Sequence, residues 1–253
     1  MNVSTDGSGA AAAASIDAVT RRYGRRWALR GVSLTVAAGE VVGIEGHNGS
    51  GKSTLLRVLS TALKPTGGSA RVFGHDVVRE PTSVRSTIGF LAHYPGLYDD
   101  LTAEENLRFA ARMLGSDFAE ISALLERVGL ARERAEPVRS FSAGMQRRLS
   151  LARLLMLRPR LLLLDEPYNN FDQAGIALVN EVVREVRDVG GAAMIVLHDK
   201  HSAGDLLDRV VRLRHGLIEA DDSMRELRAT RPASERGTSA LSERASEAAN
   251  DVA

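Results

Sequence analysis

The chain has 253 residues, 44% of them hydrophobic, which is enough for one large α/β domain or two small ones around a substantial core. Its formal net charge of +1 excludes the clustered basic excess of a general nucleic-acid-binding protein, so we expect no nucleic-acid partner. The chain contains no cysteine, which excludes disulfides, thiolate metal sites and a thiol nucleophile.

Residues 1–14 are a lead of small and polar side chains. The lead includes a run of alanines, but no basic segment precedes that run and Asp6 lies within the lead, unlike the pattern of a secretory signal peptide. We predict that residues 1–14 are disordered. The longest apolar run, residues 149–164, is interrupted by Arg158 and Arg160, so it is not expected to span a bilayer.

The segment GHNGSGKST, residues 46–54, separates two kinds of sequence pattern. Short β-like runs precede it at residues 27–36 and 41–44. After it, apolar side chains recur at the spacing of one helical face: Leu55, Leu56, Leu59 and Leu63. We therefore predict that this segment connects a buried strand to a helix.

The spacing of Gly46, Gly51, Lys52 and Ser53 is that of a phosphate loop. Backbone N–H groups of such a loop bind phosphate oxygens at a helix N-terminus, and we expect the glycines to let the backbone wrap closely around the anion. Lys52 would contact the β- and γ-phosphates, and the Ser53 hydroxyl would coordinate Mg²⁺. The alternative is a Gly/Ser-rich turn that has the same pattern by chance. The predicted nucleotide-binding residues of the loop are Gly46, His47, Asn48, Gly49, Ser50, Gly51, Lys52, Ser53 and Thr54.

A helical insert is predicted at about residues 97–155. Within it, Thr102 and Glu105 have the spacing of a capping box, in which each residue binds the backbone N–H of the other. The sequence that follows is rich in Leu, Ala, Arg and Glu, which favour helices. We therefore predict that a helix begins after Thr102.

Two carboxylates follow the apolar run at residues 161–164. Asp165 and Glu166 would lie at the carboxyl end of a strand, where ligands of α/β sheets bind. Asp165 is the predicted Mg²⁺ ligand, and Glu166 is the predicted general base that orients the attacking water. The alternative is an acidic helix cap. His198 ends a further strand-like run and is predicted to donate a hydrogen bond to the γ-phosphate.

Several separated motifs make the region from about Ile16 to Ala220 resemble the ATP-binding subunit of an ATP-binding cassette (ABC) transporter. The motifs are Tyr23 in YGRRWALRGVSL, the phosphate loop, His93 in LAHYPGLYDDL, Ser142 and Gly144 in FSAGMQRR, LLLLDEP, Asp172 in NNFD, and His198. The resemblance implies an α/β P-loop NTPase with a mainly parallel sheet, an antiparallel β subdomain and a helical insert. It implies a nucleotide-binding domain over residues 15–220, and we predict a disordered polar tail at 221–253.

The resemblance also implies roles for residues outside the phosphate loop. Tyr23 would stack on adenine, while Ser142 and Gly144 would bind the γ-phosphate of ATP held by a second copy. His93 and Asp172 belong to the same nucleotide-binding set. Two copies would enclose two ATP molecules and drive separate transmembrane permease subunits, which places the chain in the cytoplasm on the inner face of the membrane.

The sequence departs from the usual family pattern at two positions. Met145 replaces the glutamine of the signature segment, and His93 replaces a glutamine that senses Mg²⁺ and the attacking water. The segment around His93 locally resembles the ATP-binding subunit of the haem exporter of cytochrome c maturation. The expected function is that of an ATP-hydrolysing subunit that powers a membrane ABC transporter, and the local similarity indicates haem export for cytochrome c maturation. Export of another substrate such as a drug or lipid, or a soluble ABC ATPase without a transport role, are the alternatives.

Overall fold

The computed structural model describes residues 12–115, 117–197, 203 and 205–224. Within these residues the chain forms a four-stranded sheet and a six-stranded sheet, with a group of helices inserted into the second. The predicted fold class, an α/β protein with a mainly parallel sheet, an antiparallel β subdomain and a helical insert, is confirmed.

The four-stranded sheet is antiparallel and has the order β2-β1-β4-β5. Its strands are β1 (Ala12–Tyr23), β2 (Arg26–Ala37), β4 (Gly67–Val72) and β5 (His75–Asp76). Strand β1 begins inside the lead that we predicted as residues 1–14. Ala13 and Ala14 are fully buried, because their small side chains pack in the core where β1 pairs with a neighbour on each side. The boundary of the lead was therefore wrong.

The six-stranded sheet has the order β10-β9-β3-β8-β7-β6. Its strands are β3 (Val41–Glu45), β6 (Ile88–Leu91), β7 (Leu161–Asp165), β8 (Ala192–Val196), β9 (Arg209–Arg214) and β10 (Leu217–Ser223). All its pairs are parallel except β9 with β10. The carboxyl ends of β3, β6, β7 and β8 therefore lie at one edge, where a ligand is expected.

Six α-helices occur among the described residues. They are α1 (Lys52–Leu59), α2 (Pro81–Arg85), α3 (Ala103–Leu114), α4 (Ile121–Arg127), α5 (Ala143–Leu155) and α6 (Gln173–Asp188). Helices α3, α4 and α5 lie between β6 and β7, together with 3₁₀ turns at Phe118–Glu120 and Val138–Ser140. None of the helices in this described part of the chain has the length and apolar character needed to cross a membrane.

Two predictions about helix ends had different outcomes. The capping box is confirmed: Glu105 N donates to Thr102 Oγ1 over 3.1 Å, and Thr102 N donates to Glu105 Oε2 over 2.8 Å. Leu63 does not belong to α1, which ends at Leu59. Thr61 has a left-handed φ of 63°, which turns the chain out of the helix. The helical spacing of the four leucines does not reveal this turn.

Side chains from alternate positions of the central strands enter two cores. Leu162 and Leu164 of β7 pack with the helical insert and α6, while Leu161 and Leu163 pack with α1 and the antiparallel sheet. This alternation follows from the two-residue period of a strand, and burial on both faces explains the continuous LLLL run. The central sheet is therefore covered on both sides, which holds its carboxyl edge in a fixed position.

Strand β10 extends to Ser223, beyond the predicted domain end at residue 220. Ser223 pairs with Arg209 of β9, and Arg209 Nη1 donates to Asp221 Oδ2 over 2.7 Å. Backbone pairing and an ion pair hold these polar residues, so the loss of large apolar side chains was a poor guide to where the strand ends.

Candidate nucleotide-binding site

The phosphate loop connects β3 to α1, as predicted. Gly46 and Gly51 have positive φ angles of 143° and 114°. A Cβ on Gly46 would lie 2.2 Å from the carbonyl oxygen of Leu213, and one on Gly51 would lie 2.6 Å from that of Ala28. These glycines are thus required by the protein backbone behind the loop. Our sequence argument, which referred only to close approach of the anion, missed this reason.

Lys52 is the first residue of α1 and is 5% exposed. Its ammonium donates hydrogen bonds to the carbonyl oxygens of Gly46 over 2.6 Å and His47 over 3.2 Å. Burial lowers the pKa of this ammonium, and the negative charges of Glu166 and Asp165 act in the opposite direction. The ammonium therefore lies between the phosphate loop and the two acids, which is where a triphosphate needs a cation.

Ser53 and Asp165 form a contact between the phosphate loop and the end of β7. Ser53 Oγ donates to Asp165 Oδ1 over 2.9 Å. Asp165 is 1% exposed, and among the described residues its Oδ2 has no hydrogen-bond partner. Burial raises the pKa of Asp165, while the Ser53 hydrogen bond lowers it. A buried carboxylate oxygen without a partner, next to a hydroxyl, fits a Mg²⁺ ligand.

Glu166 follows Asp165 and has a left-handed φ of 52°, a strained conformation for a residue with a side chain. Its Oε2 accepts a hydrogen bond from Asn169 Nδ2 over 2.8 Å and lies 3.4 Å from His93 Nδ1. His93 is half exposed and lies two residues after the end of β6. The structure thus brings together the two side chains that the sequence associates with the attacking water.

A cleft of about 400 Å³ runs between the phosphate loop and the antiparallel sheet. Tyr23, at the end of β1, is 45% exposed at this cleft, and the Arg21 guanidinium lies 4.8 Å from its ring centroid. The other predicted residues that line the cleft are Asn48, Gly49, Gly51, Lys52, Ser53, Thr54 and Glu166. The cleft thus combines an aromatic ring with the residues predicted to bind phosphate.

Ser142, Gly144 and Asp172 are absent from the described lining of this cleft. Ser142 is the exposed N-cap of α5 and accepts a hydrogen bond from Met145 N over 3.2 Å, so half of a capping box remains despite the loss of glutamine. Asp172 caps α6 through Gly175 N and binds the Arg148 guanidinium over 2.7 Å. The hydrogen bond from Gly175 N lowers the pKa of Asp172. Within the described residues, these three therefore lie apart from the nucleotide cleft.

Two further features concern the edges of the site. His198 lies outside the described residues, so its predicted role stays a prediction. A second, basic pocket adjoins the cleft and shares Arg26 and Gly49 with it. Trp27, the only tryptophan of the chain, lines this pocket with 40% of its surface exposed.

Arg147 is a site residue that our sequence argument missed. It is 4% exposed on α5 and donates hydrogen bonds to backbone carbonyls beside both acids. One signal was present in the sequence: Arg147 occupies the same helical stripe as the buried Ser150, Leu151 and Leu154. A charged residue in a buried stripe indicates either a partner or a function.

Comparison with known proteins agrees with this geometry. The sequence profile described as "ABC transporter" matches residues 29–169. The daunorubicin resistance ATP-binding protein DrrA3 of Streptomyces coeruleorubidus is 42% identical over 86% of this chain and 70% of its own length. The daunorubicin/doxorubicin resistance ATP-binding protein DrrA of Streptomyces peucetius is 37% identical over 82% of this chain and 64% of its own length. These relatives are named for drug resistance, so they give no support to the expected haem export.

Solved structures show the same architecture. The ATP-binding subunit of an ABC transporter superposes with a TM-score of 0.78 at 27% identity, covering 85% of this chain and 92% of that one. A dimeric ATP-binding cassette in a post-hydrolysis state, bound to ADP and Pi, superposes with a TM-score of 0.76 at 26% identity, covering 83% of this chain and 98% of that one.

Proposed function

We infer that this chain, which belongs to the ABC transporter family as an ATP-hydrolysing subunit, acts as a pair of copies that enclose two ATP molecules and drive a membrane permease. The observation that carries this proposal is the contact between Ser53 and Asp165, with Lys52 buried beside it. It joins the phosphate loop to the carboxylates at the end of β7, which is the arrangement that phosphoryl transfer to water requires.

The residues that would hold Mg²⁺ are Ser53 and Asp165. Mg²⁺ is usually bound by one or two protein oxygens together with phosphate oxygens and water, so this small donor set is sufficient when ATP is present. The bound ion would neutralise charge that develops on the β- and γ-phosphates. Lys52 would stabilise the same phosphates from the loop side, where its ammonium already points toward the carbonyls of Gly46 and His47.

Glu166 is the proposed general base. Its carboxylate would orient the attacking water and accept a proton from it as the oxygen bonds to the γ-phosphorus and the bond to the β-phosphate oxygen breaks. Asn169 and His93, at 2.8 Å and 3.4 Å from Glu166 Oε2, limit the positions that this carboxylate can take. The products are ADP and inorganic phosphate.

A second copy of the chain supplies the remaining contacts. Ser142 and Gly144 lie at the exposed N-terminus of α5, where unpaired backbone N–H groups and the helix dipole favour an anion. A head-to-tail pair would bring this helix end to the γ-phosphate of ATP in the other copy. ATP would then hold the two copies together, and its hydrolysis would release them.

Replacing Glu166 with Gln tests this proposal. The amide cannot accept the proton, so phosphate release should fall by at least about 100-fold while ATP binding remains. Gel filtration with Mg²⁺ and ATP should show a stable dimer of Glu166→Gln, and the same variant without nucleotide should stay monomeric. Continued hydrolysis would remove Glu166 as the base, and a monomer at saturating ATP would exclude the proposed pair.

The proposed transport substrate is a hydrophobic, drug-like molecule that is exported, because the reported relatives are named for resistance to daunorubicin and doxorubicin. Membrane vesicles containing the chain and its permease should take up daunorubicin with ATP in inside-out orientation, and vesicles with Lys52→Ala should not. ATP-dependent uptake of haem without uptake of daunorubicin would overturn this assignment.

The proposed docking surface for the permease is the segment of residues 94–98 with the groove beside it. Tyr94 and Tyr98 are 76% and 52% exposed, and Tyr98 contacts Phe109 of α3 edge-to-face at 4.9 Å. The groove measures about 300 Å³ and is also lined by Met113 and Leu114. An exposed apolar patch of this kind favours a protein contact, here with a short apolar segment of the permease at the inner membrane face.

A further inference from the structure

Arg147 connects two strand ends that carry the reacting groups. One terminal nitrogen, Nη1, donates to the carbonyl oxygens of Ala92 and His93, and the other, Nη2, donates to those of Asp165 over 2.7 Å and Glu166 over 2.9 Å. Strands β6 and β7 are parallel neighbours, so these carbonyls belong to adjacent chain segments at the same sheet edge. One guanidinium therefore binds the backbone of both His93 and Glu166.

These contacts differ from those of an ordinary buried ion pair. Among the described residues no carboxylate forms an ion pair with Arg147, and its Nε has no hydrogen-bond partner. Burial lowers the pKa of the guanidinium, and the charges of Asp165 and Glu166 act in the opposite direction. Since its hydrogen bonds go to backbone carbonyls, the guanidinium holds the positions of those carbonyls, because moving one away would leave a buried N–H without a partner.

That geometry concerns the strained part of the site. Glu166 has a φ of 52°, and a residue with a Cβ keeps such a conformation only when its surroundings hold it there. The bond from Arg147 Nη2 to the Glu166 carbonyl fixes the peptide that follows the strained residue. The second bond, to the His93 carbonyl, fixes the residue whose ring lies 3.4 Å from Glu166 Oε2.

Arg147 belongs to α5, and the N-terminus of α5 is the predicted contact with the second copy. The N-cap of α5 is Ser142, so fewer than two helical turns separate it from Arg147. We propose that Arg147 is a positioning residue that ties Glu166 and His93 to α5, so that seating the helix N-terminus on the second copy's ATP orients Glu166 for hydrolysis in its own chain. This inference depends on the proposed pairing of two copies.

The conservative variant Arg147→Lys separates this role from folding. Lysine keeps the charge but cannot extend two separate NH₂ groups to two strand ends. Turnover (kcat) should fall at least about tenfold with the KM for ATP within about twofold, because orientation and not binding is lost. Arg147→Lys in the Glu166→Gln background should still form the ATP-dependent dimer. Unchanged kcat, or loss of the dimer in a variant with normal thermal stability, would overturn the proposal.

Arg153→Lys is the matched control on the same helix. Arg153 donates to the carbonyls of Pro95 and Gly96, which lie with His93 in the connection between β6 and α3. Among the described residues, no hydrogen bond joins Arg153 to Asp165 or Glu166. If loosening this segment from α5 were the whole effect, both lysine variants would lose turnover equally. We expect Arg153→Lys to retain kcat within about threefold, and an equal loss in both variants would contradict a specific role for Arg147.

Mixed dimers give the decisive measurement. One chain carries Glu166→Gln and a different affinity tag, so only the other chain hydrolyses ATP. Arg147→Lys should slow a single turnover when it is in the chain that keeps Glu166, and it should have little effect in the chain that carries Glu166→Gln. The reverse pattern, or equal slowing from both chains, would show that Arg147 acts through binding at α5. If the wild-type chain proves to hydrolyse ATP as a monomer, the pairing fails, while the kcat comparison still tests the positioning of Glu166.

Discussion

In the nucleotide cleft Lys52 and Asp165 are buried beneath the loop, whereas at residues 142–144 the predicted ligands lie at an exposed helix end. Lys52 is 5% exposed and donates hydrogen bonds to two loop carbonyls, while Ser142 is exposed and its side chain caps α5. A rigid, buried group of residues can hold the nucleotide of its own chain. An exposed helix end can instead join and leave a partner. Under the proposed pairing of two copies, the buried group would bind nucleotide first and the exposed helix end would act when the copies associate.

The largest expected effect comes from removing the cation of the cleft. Lys52→Ala should reduce phosphate release by roughly 100- to 1,000-fold, because the charge that faces the β- and γ-phosphates is lost in a site of low solvent access. Lys64→Ala, at an exposed loop position, is the control and should be indistinguishable from wild type. A mild effect of Lys52→Ala would place the phosphates outside the loop.

Ser142→Asp tests the exposed N-terminus of α5 without disturbing the helix. Aspartate caps a helix as well as serine does, so thermal stability should be unchanged, but its charge repels a phosphate. The variant should bind ATP as a monomer and lose the ATP-dependent dimer in the Glu166→Gln background. Ser142→Asn, a neutral cap of similar size, should dimerise. Equal behaviour of the two variants would mean that no phosphate lies near Ser142.

A smaller effect is expected at the adenine end of the cleft. Tyr23→Ala should raise the Kd for ATP by roughly tenfold, since stacking on a base contributes about 1–3 kcal/mol. Tyr23→Phe keeps the ring and should bind ATP nearly as well as wild type. Titration calorimetry measures both, and if Tyr23→Phe is as weak as Tyr23→Ala, the hydroxyl group and not the ring face carries the contact.

The smallest effect concerns stability. Burial raises the pKa of Asp165 in the folded chain. At a pH above this folded pKa, ionised Asp165 therefore lowers the free energy of unfolding. Asp165→Asn should therefore raise the Tm by about 2–4 °C at pH 7.5 without nucleotide, the shift for roughly 1 kcal/mol. The gain should shrink as the pH falls through the folded pKa, where wild-type Asp165 becomes protonated. Asp99→Asn, at an exposed position, should show no such gain.

Sequence reasoning succeeded where a few adjacent residues determine the structure. The phosphate loop and the capping box of α3 are local patterns, because their hydrogen bonds join residues at most six positions apart. It failed at Leu63 and at Ala12, because a left-handed residue at Thr61 and a strand of small alanines leave no periodic apolar signal.

Arg147 shows the other limit of a single sequence. Its acceptors are backbone carbonyls that lie 55 and 18 positions away, at Ala92 and Asp165, so no side-chain pattern identifies them. Only its place in a buried helical stripe distinguished it from the many surface arginines. The reason for Gly46 and Gly51 was missed in the same way, because the carbonyls that exclude a Cβ belong to Leu213 and Ala28.

The position of Trp27 gives this molecule a natural optical probe. It is the only tryptophan in the chain, and it borders the pocket that shares Arg26 and Gly49 with the nucleotide cleft. Its indole is partly exposed and lies 5.5 Å from the Arg22 guanidinium, so its emission is sensitive to charge and water nearby. Intrinsic fluorescence of the unlabelled chain should therefore report nucleotide binding in the adjoining cleft in real time.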